Sequence, residues 1–341
     1  MKRSTVILLL LVFFGSAAFW LISKKPWRTS AKEADEIAVK DTAAVTKIFM
    51  ANKNGIKILL ERSINNIWII NGKTPVDVTK INLLLSTLHD MRIQKPLPAS
   101  MHNTAVGILA SKGIKTEIYF GDKLVKTLYV GTETPERTGT FMLIEGEDEP
   151  YDVHIPGFVG YLTPRFILNE IKWYSKFVFD EDFKTINSLK VTYPANPENS
   201  FIYERNIYSA RNYISDATGN LMEADTQYVK FYLSGYKNLY VEGYYEEDVF
   251  PQHARDSLLN LVPYCEVVLI NSARLKTTLK VFNKPIGDRS RQQFDENNMP
   301  LKIDPEKYFA LINNKPIVAS IQDYNFGRIF KKLTDFKKRK Y

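Results

Sequence analysis

The chain spells one order of alternating apolar segments twice, and that repetition limits the fold more than any other feature. From Val45 it reads VTKIFMANKNGIKILLERS, and from Ile186 it reads INSLKVTYPANPENSFIYERN. Each stretch pairs two alternating strands across an Asn-rich turn and ends in Glu-Arg, at Glu61-Arg62 and Glu204-Arg205. A third strand is predicted in each half, IWIIN at 67–71 and YVKFYL at 228–233, the second after a longer connection that includes Asp216 and Asp225. One helix per half follows. In the first, Ile81, Leu84, Leu85, Leu88 and Met91 recur at helical spacing, with Asp77 or Thr79 as cap and Pro96 as stop. In the second, Ala254, Leu258, Leu261 and Val262 do the same before Pro263. GIKTEIYFGDKL from Gly113 then matches RLKTTLKVFNKPI from Arg274, and the hairpin GTFMLIEGEDEPYDVHI from Gly139 matches KYFALINNKPIVASI from Lys307. An aromatic-basic segment closes each half, GYLTPRFI from Gly160 and FGRIFKKL from Phe326.

The expected fold class is α+β: two tandem related units, each an antiparallel sheet with one packed helix, after an N-terminal transmembrane helix. Two copies make a duplication rather than a solenoid. The expected division is a tail at 1–4, an anchor at 5–22, a stalk at 23–43, a first unit at 44–168, a linker at 169–185, a second unit at 186–333 and a basic tail at 334–341.

The anchor is the run TVILLLLVFFGSAAFWLI, which starts at Thr5, ends at Ile22 and carries no charge. As a helix it spans about 27 Å, close to the hydrocarbon thickness of a bilayer. Lys2 and Arg3 precede it, and Lys24, Lys25 and Arg28 follow it. Trp20 and Trp27 stand where an interfacial aromatic belt belongs. Gly15, Ser16, Ala17 and Ala18 would also suit a cleaved signal peptide, but the apolar run continues past them from Phe19 to Ile22. The expected location is the inner membrane, single-pass, with the body in the periplasm, although Lys and Arg counts hardly differ across the run.

The single cysteine, Cys265, excludes an internal disulfide and a thiolate metal cluster. The net charge is +8, but Arg328, Lys331, Lys332, Lys337, Lys338, Arg339 and Lys340 face only Asp335, which leaves the remainder near +2. A nearly neutral body offers no basic stripe for nucleic acid.

The stretches IWIINGKTPVD, YVGTETPERTGTFMLI and EIKWYSKFVFDEDFKTI, together with the anchor, resemble the family called domain of unknown function 4340. Trp68, Gly131, Gly139, Trp173, Lys176, Phe179 and Asp180 carry the likeness, which covers residues 42–186 and extends more faintly beyond them. Members are bacterial envelope proteins of the Bacteroidetes type, some joined to or encoded with ABC-type transporters tied to gliding motility. The resemblance implies an extracytoplasmic body and supplies no catalytic residue.

No chemistry declares itself in the remaining motifs. His89, His102, His154 and His253 lack partners at metal-ligand spacing. Asp152 and His154 share a strand face as a candidate acid-base pair, but with no nearby Ser or Cys nucleophile. Glu145, Glu147, Asp148 and Glu149 read as a solvated hairpin turn. No phosphate-binding glycine loop occurs, so nucleotide binding drops out; neither a metal nor a cofactor is expected. The candidate interaction surface is the tyrosine series Tyr228, Tyr232, Tyr236, Tyr240, Tyr244 and Tyr245, with the basic residues Lys337, Lys338, Arg339 and Lys340 as a second contact. The function expected from these features is a non-enzymatic scaffold or interaction module bound to an envelope protein, transporter- or motility-associated. The alternatives are a small-molecule or glycan binding module and, more remotely, a hydrolase built on two converging carboxylates.

Overall fold

A computed structural model of the chain describes residues 36–205, 213–288, 290–315 and 317–336. The chain divides into two compact units, Met1–Ser175 and Lys176–Tyr341.

Over its described residues the first unit runs β1 (Lys47–Ala51), β2 (Lys57–Arg62), β3 (Trp68–Ile70), β4 (Thr74–Pro75), α1 (Val78–Asp90), β5 (Arg92–Pro96), α2 (Ala99–Lys112), β6 (Ile114–Phe120), β7 (Lys123–Glu133), β8 (Thr140–Ile144) and β9 (Tyr151–His154). Its strands form one nine-stranded antiparallel sheet, ordered β4-β3-β2-β1-β6-β7-β8-β9-β5. The second unit opens with β10 (Phe177–Phe179), then β11 (Ile186–Thr192), β12 (Phe201–Glu204), β13 (Tyr213–Asp216), β14 (Leu221–Glu223) and α3 (Thr226–Ser234). It continues with β15 (Leu239–Tyr240), β16 (Gly243–Tyr244), α4 (Gln252–Leu259), β17 (Cys265–Asn271), β18 (Lys276–Pro285), β19 (Ile303–Ile312), β20 (Ala319–Gln322) and the single turn α5 (Asp323–Phe326). Its nine-stranded sheet is ordered β14-β13-β12-β11-β17-β18-β19-β20-β16, while β10 pairs with β15 apart from it. Position for position, the two large sheets have the same order.

The class is therefore mostly β, built on two nine-stranded antiparallel sheets, and this corrects the α+β expectation of one helix per unit. Each unit has two helices of eight residues or more among its described residues, α1 and α2, then α3 and α4. Helix α2 went unread because its sequence, ASMHNTAVGILASK, buries only Ala105 and Leu109 and so carries little apolar period. The segment YVKFYL is not a strand but lies in α3. Val229, Tyr232 and Leu233 are its buried positions, a spacing of three and four, and Asp225 caps it by accepting from the Gln227 and Tyr228 N–H groups. Aromatic and β-branched composition suggests a strand there, but the period is helical. The third strand of the second unit is β13, within the longer connection. The matched pair Gly113 and Arg274 is one strand out of step, because β6 corresponds to β17 and β7 to β18. The expected transmembrane helix, residues 5–22, lies outside the described residues. Among those described, no helix is long and apolar enough to cross a membrane.

The repeated residues do repeated work. Asp77 caps α1 by accepting from Thr79 N–H at 2.9 Å, as Asp225 caps α3. The Asp77 N–H donates to the Trp173 carbonyl at 2.7 Å, and the Asp225 N–H to that of Phe336 at 3.4 Å. Trp173 and Phe336, the closing aromatics of their units, are fully buried. Phe336 packs on Phe201 and Tyr232 with ring centroids 4.8 and 5.1 Å away. Burial of a large apolar side chain of this kind contributes about 1.5–3 kcal/mol. In the β19–β20 connection, Asn313 and Asn314 both take positive φ, 52° and 54°, and the Lys315 N–H donates to the Ile312 carbonyl at 3.0 Å, which closes a tight turn after β19.

Candidate functional site

The tyrosine series separates into core and surface. Tyr232 and Tyr236 are buried, their hydroxyls are 2.8 Å apart, and Tyr232 also donates to the Ile329 carbonyl at 3.0 Å. Burial raises both phenols well above their ordinary range. Neither presents a contact surface. Tyr240 is exposed on β15, edge-on to exposed Phe177 at 6.4 Å. Tyr244 and Tyr245 are half-buried and line a cleft, where burial pushes Tyr244 up to about 12. Lys337, Lys338, Arg339 and Lys340 lie outside the described residues.

The other singled-out groups are local pairs. His89 Nδ1 and Asp90 Oδ1 are 2.6 Å apart, and His102 Nε2 is 3.6 Å from Glu149 Oε2. Among the described residues, no three His, Cys, Asp or Glu side chains are grouped to hold a metal ion. Asp152 is buried, and its Oδ1 lies so close to Gly139 that a Cβ there would sit 1.7 Å from it. Burial, assisted by Glu136, raises its carboxyl above the usual range against the opposing charges of Lys95 and His154.

In the first unit, a groove of about 670 Å³ runs between α1 and the β2–β3 end of the sheet. Trp68, Val76 and Ile81 are its buried apolar residues; Ile67 and Val78, exposed at 52% and 66%, rise beside them. Arg62, Asn66, Asn82, Ser86, His89 and Asp90 supply polar groups. Arg62 explains the repeated Glu-Arg step. Its Nη1 donates to the Ala43 carbonyl at 2.7 Å, tying down the segment that leads into β1, and Arg205 ties the segment before β11 through the Ile186 and Phe183 carbonyls. The two differ at one atom. Arg205 Nε donates to the Ile186 carbonyl at 2.8 Å, whereas Arg62 Nε is buried with no hydrogen-bond partner among the described residues. A buried donor left unpaired costs about 1–3 kcal/mol.

In the second unit, a cleft of about 420 Å³ opens beside the edge strand β16, lined by Glu242, Gly243, Tyr244, Tyr245, Val249, Lys284, Lys307 and Ser320. Lys307 Nζ donates to Glu242 Oε1 and Oε2 at 2.8 and 2.9 Å, Ser320 Oγ to Oε2 at 2.9 Å, and Gln322 Nε2 to Oε1 at 3.2 Å. Burial alone would raise the Glu242 carboxyl, but these donors outweigh it and hold it below the usual range. Lys284 Nζ donates to the buried Asp304 Oδ2 at 2.9 Å; Ser290 Oγ and the Glu306 N–H also donate to Asp304. Those bonds overcome the burial of Asp304 and lower it too. A general acid needs its carboxyl raised, and both of these move the other way.

Sequence reasoning named Tyr244 and Tyr245 but missed Glu242, Lys284, Lys307 and Ser320, which come from β16, β18, β19 and β20 or their flanks. Their spacing in the chain exceeds any motif window. No family model, no curated protein and no solved structure matches the chain.

Proposed function

We propose that this chain is a membrane-attached periplasmic interaction module, whose first unit receives a peptide segment of an envelope protein in the α1–β3 groove. The observation that carries the reading is the exposure of two large apolar side chains, Ile67 and Val78, beside the buried floor of Trp68, Val76 and Ile81 in that groove. A peptide supplies apolar side chains to cover them, and backbone polar groups for the rim of Asn66, Asn82 and Ser86. An apolar floor with a polar rim is the anatomy of a protein contact surface. The apolar run from Thr5 to Ile22 is the membrane attachment in this proposal, and the family resemblance supports a periplasmic body. The duplicated frame supports the scaffold role, because each sheet displays its own concavity at a different place.

The test is site-specific photocrosslinking in native membranes from Val78, with exposed Leu221 of the second unit as the control position. One adduct from Val78 is expected, lost in Ile67→Glu. The purified partner segment then binds the wild-type chain at least tenfold more tightly than Ile67→Glu. Adducts that are equal from Val78 and Leu221, or that survive Ile67→Glu, would overturn the reading.

A further inference from the structure

The cleft beside β16 belongs to the other unit and is chemically unlike the groove. We propose that it binds a neutral polyhydroxylated ligand, a saccharide unit. The case rests on how its charges are already arranged. Lys307 is paired with both oxygens of Glu242, and Lys284 with Asp304. An anion drawn to either lysine meets the carboxylate already bound there, and a cation drawn to Glu242 meets Lys307. A hydroxyl does neither harm. It donates to a carboxylate oxygen while accepting from an ammonium, so a ring of hydroxyls bonds across the ion pairs without breaking them. An ammonium has three donors, so Lys284, while bonded to Asp304, can still donate to a ligand hydroxyl.

The walls suit the other half of a sugar. Tyr244, Tyr245 and Val249 bring apolar surface to the same cleft, and a pyranose ring has C–H faces to set against it. Tyr245 is fixed by Phe250 and Phe309, each with its ring centroid 5.6 Å away, so this wall is in place before a ligand arrives. The cleft volume, about 420 Å³, lies within the range of small-ligand sites. Gly243 at the edge strand adds no side chain, and a Cβ there would meet nothing within 4 Å, so the backbone side of the cleft stays open.

The matching corner of the first unit is filled instead. The second residue of the last strand is Asp152 there and Ser320 here, each opposite a phenylalanine, Phe141 and Phe309. Continuing the register, Lys307 stands where the first unit has Gly139. In the first unit the Asp152 carboxyl is buried against that glycine; in the second a small hydroxyl and a long lysine open the corner and turn it toward Glu242.

The full chain is screened by saturation-transfer NMR and calorimetry against maltotriose, chitotriose and xylotriose, their uronic-acid counterparts, and simple dicarboxylates and diamines. Binding of at least one neutral saccharide is expected, with saturation transfer to its ring C–H protons. Val249→Arg, at a 65% exposed wall position, weakens that binding at least tenfold. Lys307→Gln, which retains a donor toward Glu242, serves as the second variant if Val249→Arg fails to fold. Ile67→Glu, in the other unit, leaves saccharide binding unchanged, so failure here and failure of the peptide groove are separate results. No neutral saccharide bound at millimolar concentration, tighter binding of the uronic acids or dicarboxylates, or binding indifferent to both cleft variants would overturn the proposal.

Discussion

The same corner of the same sheet order is built in two opposite ways. In the first unit, Asp152 is buried with its Oδ1 unpartnered among the described residues, and its carboxyl is raised. In the second, Ser320 occupies that place and serves Glu242, whose carboxyl is lowered by Lys307 and its other donors. The strand order dictates where the corner is, and three or four side chains decide whether it is a closed acid or an open, charge-paired cleft. A shared frame is thus no guide to a shared site.

The comparison breaks most sharply at Lys284. Asp304 is almost fully buried, so Lys284→Met leaves a buried charge without its cation, at an expected cost of about 3–5 kcal/mol to the second unit at neutral pH. Denaturant unfolding followed by tyrosine signal reads it. The loss should shrink as pH falls through the lowered Asp304 value, where the carboxyl takes up a proton; a loss independent of pH would show that packing rather than charge is at stake.

Gly139→Ala tests the closed corner. Its Cβ would lie 1.7 Å from Asp152 Oδ1, so the first unit is expected to lose about 3 kcal/mol through overpacking. All four tryptophans, Trp20, Trp27, Trp68 and Trp173, precede Lys176, so tryptophan fluorescence reports on the first unit. The double variant Gly139→Ala/Asp152→Ala should recover most of the loss, and no recovery would place the clash elsewhere.

Acid should separate the units in sign. A raised folded-state value means the Asp152 contribution is fully present below the unfolded carboxylate value near 4 and is lost as pH rises through the raised one. Asp152→Asn is therefore expected to stabilise the first unit by about 1–2 kcal/mol at pH 7 and to have little effect at pH 3. Glu242 and Asp304 are lowered, so their contributions are present above about pH 4 and are lost as pH falls through the lowered values. On acidification the second unit should weaken before the first, whose own transition the tryptophan signal follows.

The smallest effect belongs to Lys307→Met. Both partners of its ion pair are about a third exposed, so solvent screening limits the loss to under about 1 kcal/mol, and salt should erase it. A larger, salt-independent loss would mean that Lys307 holds the cleft by packing.

Much of the frame was readable in advance. The opening hairpins, the Glu-Arg steps and the Asp77 cap all rest on residues close together in sequence, where spacing alone carries the signal. The misreadings share a cause. YVKFYL has strand composition but helical burial, and α2 has helical structure with little apolar period, so only packing against the sheet decides either. The tyrosine series looked like a surface because aromatics serve both roles. Tyr232 and Tyr236 proved to be core because Phe201 and Phe336, far away in the chain, close over Tyr232, and Phe179 packs on Tyr236.

By itself the sequence determined that the chain is duplicated, strand-rich and without a disulfide, since alternation, capping and cysteine count are local or additive properties. Only the tertiary structure decided where polar groups meet. Glu242 reaches Lys307, Ser320 and Gln322 across strands more than sixty residues away, and Arg62 lacks the acceptor that Arg205 finds. Antiparallel pairing brings distant residues to adjacent positions, and no local pattern records which side chains will then face one another.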